Sequence, residues 1–224
     1  ASKDGTAIIW EISGLRDLIR EMGPRLTGSE IRGAYDRLGS AYREAGRFEE
    51  AEEAYQRAMS DQADNETNAR AHSSANLAQL YLAWGKPEQA GTRAAEAFRR
   101  FLDDGDAVFA AQAAYLAAWA EDSLGNPQAA LTWSERAATI ITELRSEITA
   151  SALARAFSDA YYQQIDLHLR LLMGSGAATA ATDGFALVER TRALALTQHI
   201  QEQLRWAPVP AELSARERAA REAL

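Results

Sequence analysis

The sequence predicts an all-α chain: an α-solenoid of about four helix hairpins, with one helix ahead of them and a linker helix behind. Three observations carry this. Ala is abundant and is joined by Leu, Glu, Arg and Gln, the strong helix formers. Period-2 alternation of Val, Ile and aromatic residues, the mark of strands, is absent. Gly46, Gly85 and Gly125 stand 39 and 40 residues apart, each after a helical run and before a second, Ala-rich one. With 224 residues, 47% hydrophobic and 25% charged, the chain is long enough for a sizeable core and too apolar for wholesale disorder.

The first element follows from Ile8, Ile12, Leu15, Ile19 and Met22, whose spacing makes one apolar stripe on a helix over 7–22. Glu11, Arg16, Asp17, Arg20 and Glu21 take its wet face, and Gly23-Pro24 closes it. Residues 1–27 are thus an amphipathic unit that caps the array or docks elsewhere, a second copy included. The three glycines then set the hairpins. Five positions after each lies Ala51, Ala90 or Ala130, and seven further on Ala58, Ala97 or Ala137. Small residues there let two helix axes approach within ~8–10 Å. Glycine takes the left-handed conformation that ends a first helix and turns the chain back. Pro87 and Pro127 suit the start of the helix that follows.

These residues resemble the tetratricopeptide repeat family. The best copy reads Tyr35, Leu38, Gly39, Tyr42, then Gly46, Phe48, Ala51, Tyr55 and Ala58. It follows the family's pattern, with Tyr at the first aromatic position and Ala63 where Pro is usual. A second copy keeps Leu77, Ala78, Tyr81, Gly85, Ala90 and Ala97. A third keeps Ala117, Ala118, Gly125, Ala130 and Ala137, with Glu121 in place of the tyrosine. The spacing exceeds the family's ~34 residues, so the second helix or its exit loop is longer. A fourth unit has a long helix over about 147–173, carrying Leu153, Phe157, Tyr161, Ile165, Leu169 and Leu172. Gly174-Ser175-Gly176 breaks it, residues 177–184 are loop or frayed helix, and a second helix runs to roughly Arg205. Trp206-Ala207-Pro208-Val209-Pro210 ends the array. Residues 28–206 are therefore the repeat solenoid, and 207–224 a linker helix toward a downstream domain.

Residues 186–200, with Glu189, Arg190, Thr191, Arg192, Ala193 and Leu194 at the centre, resemble the helix that closes the repeats in certain bacterial proteins. Those proteins join tetratricopeptide repeats to a CHAT domain, a caspase-like cysteine protease. The resemblance implies a sensor or regulatory arm whose protease His and Cys would lie beyond Leu224. The alternative is the peptide-sensing arm of a bacterial transcription activator, or a stand-alone adaptor.

Composition narrows the chemistry. The absence of Cys removes disulfides, thiolate nucleophiles and Cys-ligated metals. A formal charge of −8 disfavours nucleic acid, because phosphate binding needs a cationic surface. No apolar run approaches the ~20 residues that span a bilayer. The first six residues carry no apolar signal region, and a cytoplasmic location is expected. There is no Gly-rich phosphate loop and no His-x-x-x-His, and His72, His168 and His199 lie far apart. No catalytic residue, metal or cofactor is predicted; this is not an enzyme. Glu49, Glu50, Glu52 and Glu53 sit at a helix start, where they favour the macrodipole. Arg99-Arg100 with Asp103, Asp104 and Asp106 reads as a charged helix end and turn and is assigned no site. Arg190 and Arg192 point to different helix faces and serve ion pairs or docking to a downstream domain.

The family resemblance places the first helix of each repeat along a concave groove. Carried over residue by residue, it gives Asp36, Ser40, Arg43 and Glu44, then His72, Ala75, Gln79 and Leu82, then Gln112, Tyr115, Trp119 and Asp122, and finally Gln164 and His168. The partner-binding set is Arg43, His72, Gln79, Gln112, Tyr115, Trp119, Asp122, Gln164 and His168. Tyr115 and Trp119 are i, i+4 neighbours flanked by Gln and Asp, the aromatic anchor and polar rim of a peptide surface. The competing expectation is that Trp119 packs against an adjacent repeat. A clamp for chaperone C-termini is not expected, since Asp36 and Ser40 hold its key positions and only Asn76 fits. The partner is a protein or peptide, and the acidity of the chain points to a basic or mixed one. Oligomeric state stays open.

Overall fold

The computed structural model of the chain describes residues 5–60, 67–147 and 151–189. Helix α1 spans Gly5–Met22 and runs through a 3-10 turn, Gly23–Arg25, into α2 (Gly28–Glu44). Then come α3 (Phe48–Ser60), α4 (Thr67–Ala83), α5 (Pro87–Asp103), α6 (Ala107–Ser123), α7 (Pro127–Glu147) and α8 (Ser151–Gly174). A further helix, α9, occupies residues 180–189. Its start at residue 180 resolves the choice left over 177–184. The expected termination at Trp206–Pro210, the linker helix 207–224, Ala63, Arg190, Arg192 and His199 lie outside the described residues.

Each helix packs on the next, and the first helices also touch one another: α2 on α4, α4 on α6, α6 on α8. Among the described residues the second helices α3, α5 and α7 make no comparable contact with one another. The stack therefore bends toward its first helices, which line the inner side of an all-α, tetratricopeptide-like solenoid. Ile12 of α1 is buried, and Ile8, Leu15 and Ile19 pack beside it on the core shared by α2, α3 and α4.

One turn, used four times, produces this order. Gly46, Gly85, Gly105 and Gly125 have φ of +71°, +72°, +74° and +75°, the left-handed region that suits glycine. The residue after each donates its N–H to the carbonyl five residues back: Arg47 to Tyr42, Lys86 to Tyr81, Asp106 to Phe101 and Asn126 to Glu121, at 2.8–2.9 Å. These bonds satisfy carbonyls left open at a helix end. The extra length of the repeats is helix rather than loop. α5 has 17 residues, as α4 does, and its exit is the three-residue turn Asp104-Gly105-Asp106. The charged stretch after Arg99 is the expected helix end and turn, with the Asp106 side chain capping α6 at the N–H of Phe109.

Six alanines at the predicted contact positions, Ala51, Ala58, Ala90, Ala97, Ala130 and Ala137, are all buried. Within the first hairpin the approach is tighter still. A Cβ placed on Gly39 would stand 2.7 Å from the ring of Tyr55, whose side chain is fully buried and whose hydroxyl pairs with Ser40 at 3.0 Å. Tyr55 has no room to yield. Gly33, on the same helix, meets nothing within 4 Å. Gly39→Ala should therefore cost about 1–3 kcal/mol through overpacking. Gly33→Ala should stabilise by about 0.5–1 kcal/mol through helix propensity. Urea unfolding of both variants checks this, and equal effects would contradict it.

Candidate functional site

On the inner side of the stack, α2, α4, α6 and α8 enclose a cleft of about 530 Å³. Arg43 enters from α2, Gln79, Leu82 and Ala83 from α4, and Gln112, Tyr115, Leu116 and Trp119 from α6. Gln163 and Gln164 come from α8. Six of the nine sequence-predicted residues are thus brought together: Arg43, Gln79, Gln112, Tyr115, Trp119 and Gln164. The contribution of α6 follows from its sequence. Ala110, Ala111, Ala113, Ala114, Ala117, Ala118 and Ala120 are buried among its neighbours, which leaves Gln112, Tyr115 and Trp119 at i, i+3, i+7 on the remaining face. Trp119 is 45% exposed, so it does not pack into an adjacent repeat. Its ring lies 6.1 Å from that of Tyr115, tilted by 45°. Tyr115 rests against the cores on either side, and burial pushes its hydroxyl above the ordinary tyrosine range.

Three predicted residues lie elsewhere. His72 shares the helical stripe of Gln79 but sits two turns earlier on α4, where its ring packs edge-on to Phe101 at 5.0 Å and Phe109 at 4.3 Å. Asp122 sits past the cleft in the last turn of α6, its carbonyl accepting from the N–H of Gly125. His168 is one turn beyond Gln164, where α8 faces α7; it is 8% exposed, and its Nδ1 is 2.9 Å from Ser134 Oγ. Gln163 was not identified from the sequence, because the fourth repeat keeps too few family residues to fix its register.

Polar groups near the cleft are largely used in joining repeats. Arg43 donates to the side-chain carbonyl of Gln79. Asp36 of α2 accepts from Ser73 Oγ at 3.1 Å and Asn76 Nδ2 at 3.3 Å, both on α4, and burial raises its carboxyl above the ordinary range. Asn76, the single residue that fitted a chaperone-tail clamp, is therefore committed to Asp36. Tyr81 donates to Glu52 at 2.6 Å, so Glu52 joins α3 to α4. Burial first, and that bond second, push the Tyr81 hydroxyl up to about 12.

A second cleft, about 420 Å³, opens between α1 and α3 and is lined by Arg16, Arg20, Arg47 and Arg57 together with Glu50 and Glu53. Three of its cations are already answered, Arg20 by Asp17 at 2.7 Å, Arg47 by Glu50 at 2.6 Å and Arg57 by Glu53 at 2.7 Å. A third cavity, about 210 Å³, holds His168, Glu135 and Asp183. Ser134, beside it, is buried, and its hydroxyl lies 2.9 Å from both the Leu131 carbonyl and His168 Nδ1. Among the described residues no group of His, Asp and Glu is placed to hold a metal ion, and no helix is long and apolar enough to cross a membrane.

A curved stack of helix hairpins with an aromatic and amide cleft on its inner side is an all-α, tetratricopeptide-like solenoid. Residues 30–103 match the model of the tetratricopeptide repeat family. Among solved structures the chain is similar to the crystal structure of BtubC (BKLC) from P. vanneervenii, with a TM-score of 0.52, 16% identity and 92% of each chain covered. That likeness shows the fold alone. No curated protein matches the chain.

Burial holds the His168 imidazole below its ordinary value of 6.5, with Glu135 partly opposing the shift. The unfolded chain therefore binds more protons than the folded one as pH drops below 6.5, and folding stability falls. The loss stops once pH passes below the depressed folded-state value. Urea midpoints measured from pH 7.5 to 5 should show this decline, and His168→Gln should flatten it. An identical slope in both proteins would contradict it.

Proposed function

We propose that the chain is a non-catalytic protein-interaction scaffold that holds a segment of a partner protein in the inner cleft of its repeats. The observation that carries this is Trp119, a large apolar side chain left exposed beside Tyr115 on a helix whose other faces are closed by alanine packing. Large aromatic side chains ringed by polar groups supply most of the energy at protein interfaces. Gln79, Gln112 and Gln163 provide that ring, and an amide side chain can both donate and accept hydrogen bonds. The repeat fold adds a reason for regulation: each repeat contacts only its neighbours, so a ligand bridging several of them alters the curvature of the stack.

A finer reading makes this scaffold the regulatory arm of a CHAT-type caspase-like protease. It is supported by the sequence resemblance of residues 186–200, of which 190–200 lie outside the described residues. The alternative remains an arm of a transcription activator or a free adaptor. A caspase-like domain encoded after Leu224 in the parent gene would support the first, and a DNA-binding domain the second.

The test of the scaffold is capture of partners by the native chain and by a Tyr115→Ala/Trp119→Ala double variant of equal helicity, with the captured proteins identified. Partners held by the native chain and lost from the variant are expected. The same partners on both would remove the cleft from the account.

A further inference from the structure

The two larger clefts differ in charge. Among the described residues the inner cleft is lined by one charged side chain, Arg43, whereas six line the cleft between α1 and α3. Arg16 and Arg20 stand on its α1 wall, one helical turn apart, with Cβ atoms about 5–6 Å from each other. On the opposite wall the guanidinium of Arg47, just ahead of α3, lies 4.7 Å over the ring of Tyr42, and that of Arg57 lies 5.9 Å over Tyr35. Four arginines against Glu50 and Glu53 leave two positive charges in excess, in a chain that carries −8 overall. Arg16 makes no ion pair or hydrogen bond among the described residues. The other three arginines pair with Asp17, Glu50 and Glu53, three or four residues away, through side chains that are 41–69% exposed. Exposed pairs of this kind are weak and give way to a better-placed anion.

We infer that the cleft between α1 and α3 binds a small phosphate monoester with an apolar or aromatic body. The phosphoryl group sits between Arg16 and Arg20 on one wall and Arg57 on the other, and the body rests on Tyr35, Leu38 and Ile19, the apolar part of the lining. α1 and α3 each join α2 through a short turn, so both run antiparallel to it. Arg20 and Arg57, each in the last turn of its helix, therefore come to the same end of the cleft. A guanidinium is a planar fork of donors, and one fork satisfies a flat carboxylate. Forks converging from two walls suit a tetrahedral group with three terminal oxygens. Its charge at pH 7, about −1.5 to −2, matches the excess of two on the lining. A volume of about 420 Å³ is that of a small-molecule site. Among the described residues α1 packs on α2 and makes no comparable contact with α3, so a ligand held by both walls fastens α1 to the first hairpin. The inference goes beyond the partner site of the inner cleft and does not rest on it.

Isothermal titration of the full chain with phenyl phosphate tests this, against phenol, phenyl sulfate and inorganic phosphate at one fixed ionic strength. One phenyl phosphate per chain is expected. It should bind roughly tenfold more tightly than phenyl sulfate, which carries less charge, and than inorganic phosphate, which lacks the ring. Phenol should give no binding heat. Arg16→Met/Arg20→Met should weaken phenyl phosphate binding by roughly tenfold or more, the loss of two charge-assisted partners. Glu53→Gln should tighten it about threefold by releasing Arg57, and Arg43→Met, in the inner cleft, should leave it unchanged. Circular dichroism checks that each variant keeps the native helicity. Saturating phenyl phosphate should also slow amide hydrogen exchange in α1 while leaving α6 as it is. No binding of phenyl phosphate at millimolar concentration, or equal affinity in Arg16→Met/Arg20→Met, would overturn the inference. Inorganic phosphate bound as tightly as phenyl phosphate would overturn the assignment of an organic ligand. A phosphoserine octapeptide bound more than roughly tenfold tighter than phenyl phosphate would overturn the small molecule in favour of a modified protein segment. Phenyl phosphate binding should survive Tyr115→Ala/Trp119→Ala, the variant that tests the inner cleft, so the two sites stand or fall separately.

Discussion

Four helices, α4, α5, α7 and α8, lie against α6, and its seven buried alanines are what let them come so close. A longer side chain at any of those positions would hold a neighbour off or be forced from its rotamer. With its flanks closed in this way, α6 past its first turn has one open stripe, and that stripe carries Gln112, Tyr115 and Trp119. The packing of the solenoid and the chemistry it offers are therefore one arrangement. Small residues close three sides of a helix, and the fourth carries its largest rings.

The same economy sets the relation between repeats. A single glycine turn, bonded alike at Gly46, Gly85, Gly105 and Gly125, sends each helix back along the one before it. Polar pairs between repeats then fix α4 against its neighbours: Asp36 with Ser73 and Asn76, Arg43 with Gln79, and Glu52 with Tyr81. Because the cleft draws side chains from α2, α4, α6 and α8, its width follows from the angles between successive hairpins. A segment seated across it would hold those angles, which is how a stack with only nearest-neighbour contacts senses a ligand.

The fold was legible because its determinants are local. Glycine at a helix end and alanine at fixed offsets after it are visible in a one-dimensional string, and Ala51, Ala90 and Ala130 lie where the offsets place them. The turn at Gly105 was legible from its aspartates, but its likeness to the other three was not, because it turns the chain between repeats and not within one. Of the inner residues, those on α2, α4 and α6 were found from repeat register. His168 was misplaced because register gives a position along a helix, while the direction of a side chain depends on which neighbour the helix follows; α8 runs along α7. The local charge of the cleft was not legible at all. Net charge sums the outer carboxylates with the inner lining, and only the packed helices separate the two.

The central claim is that the Tyr115–Trp119 stripe stays open while the rest of α6 is closed. Hydroxyl-radical footprinting of the native chain, with modification read residue by residue by mass spectrometry, tests it most directly. Trp119 should be oxidised far faster than the fully buried rings of Tyr55 and Phe101. If Trp119 is instead as protected as Phe101 in the chain without any partner, the stripe is already covered and the cleft is not a free binding surface.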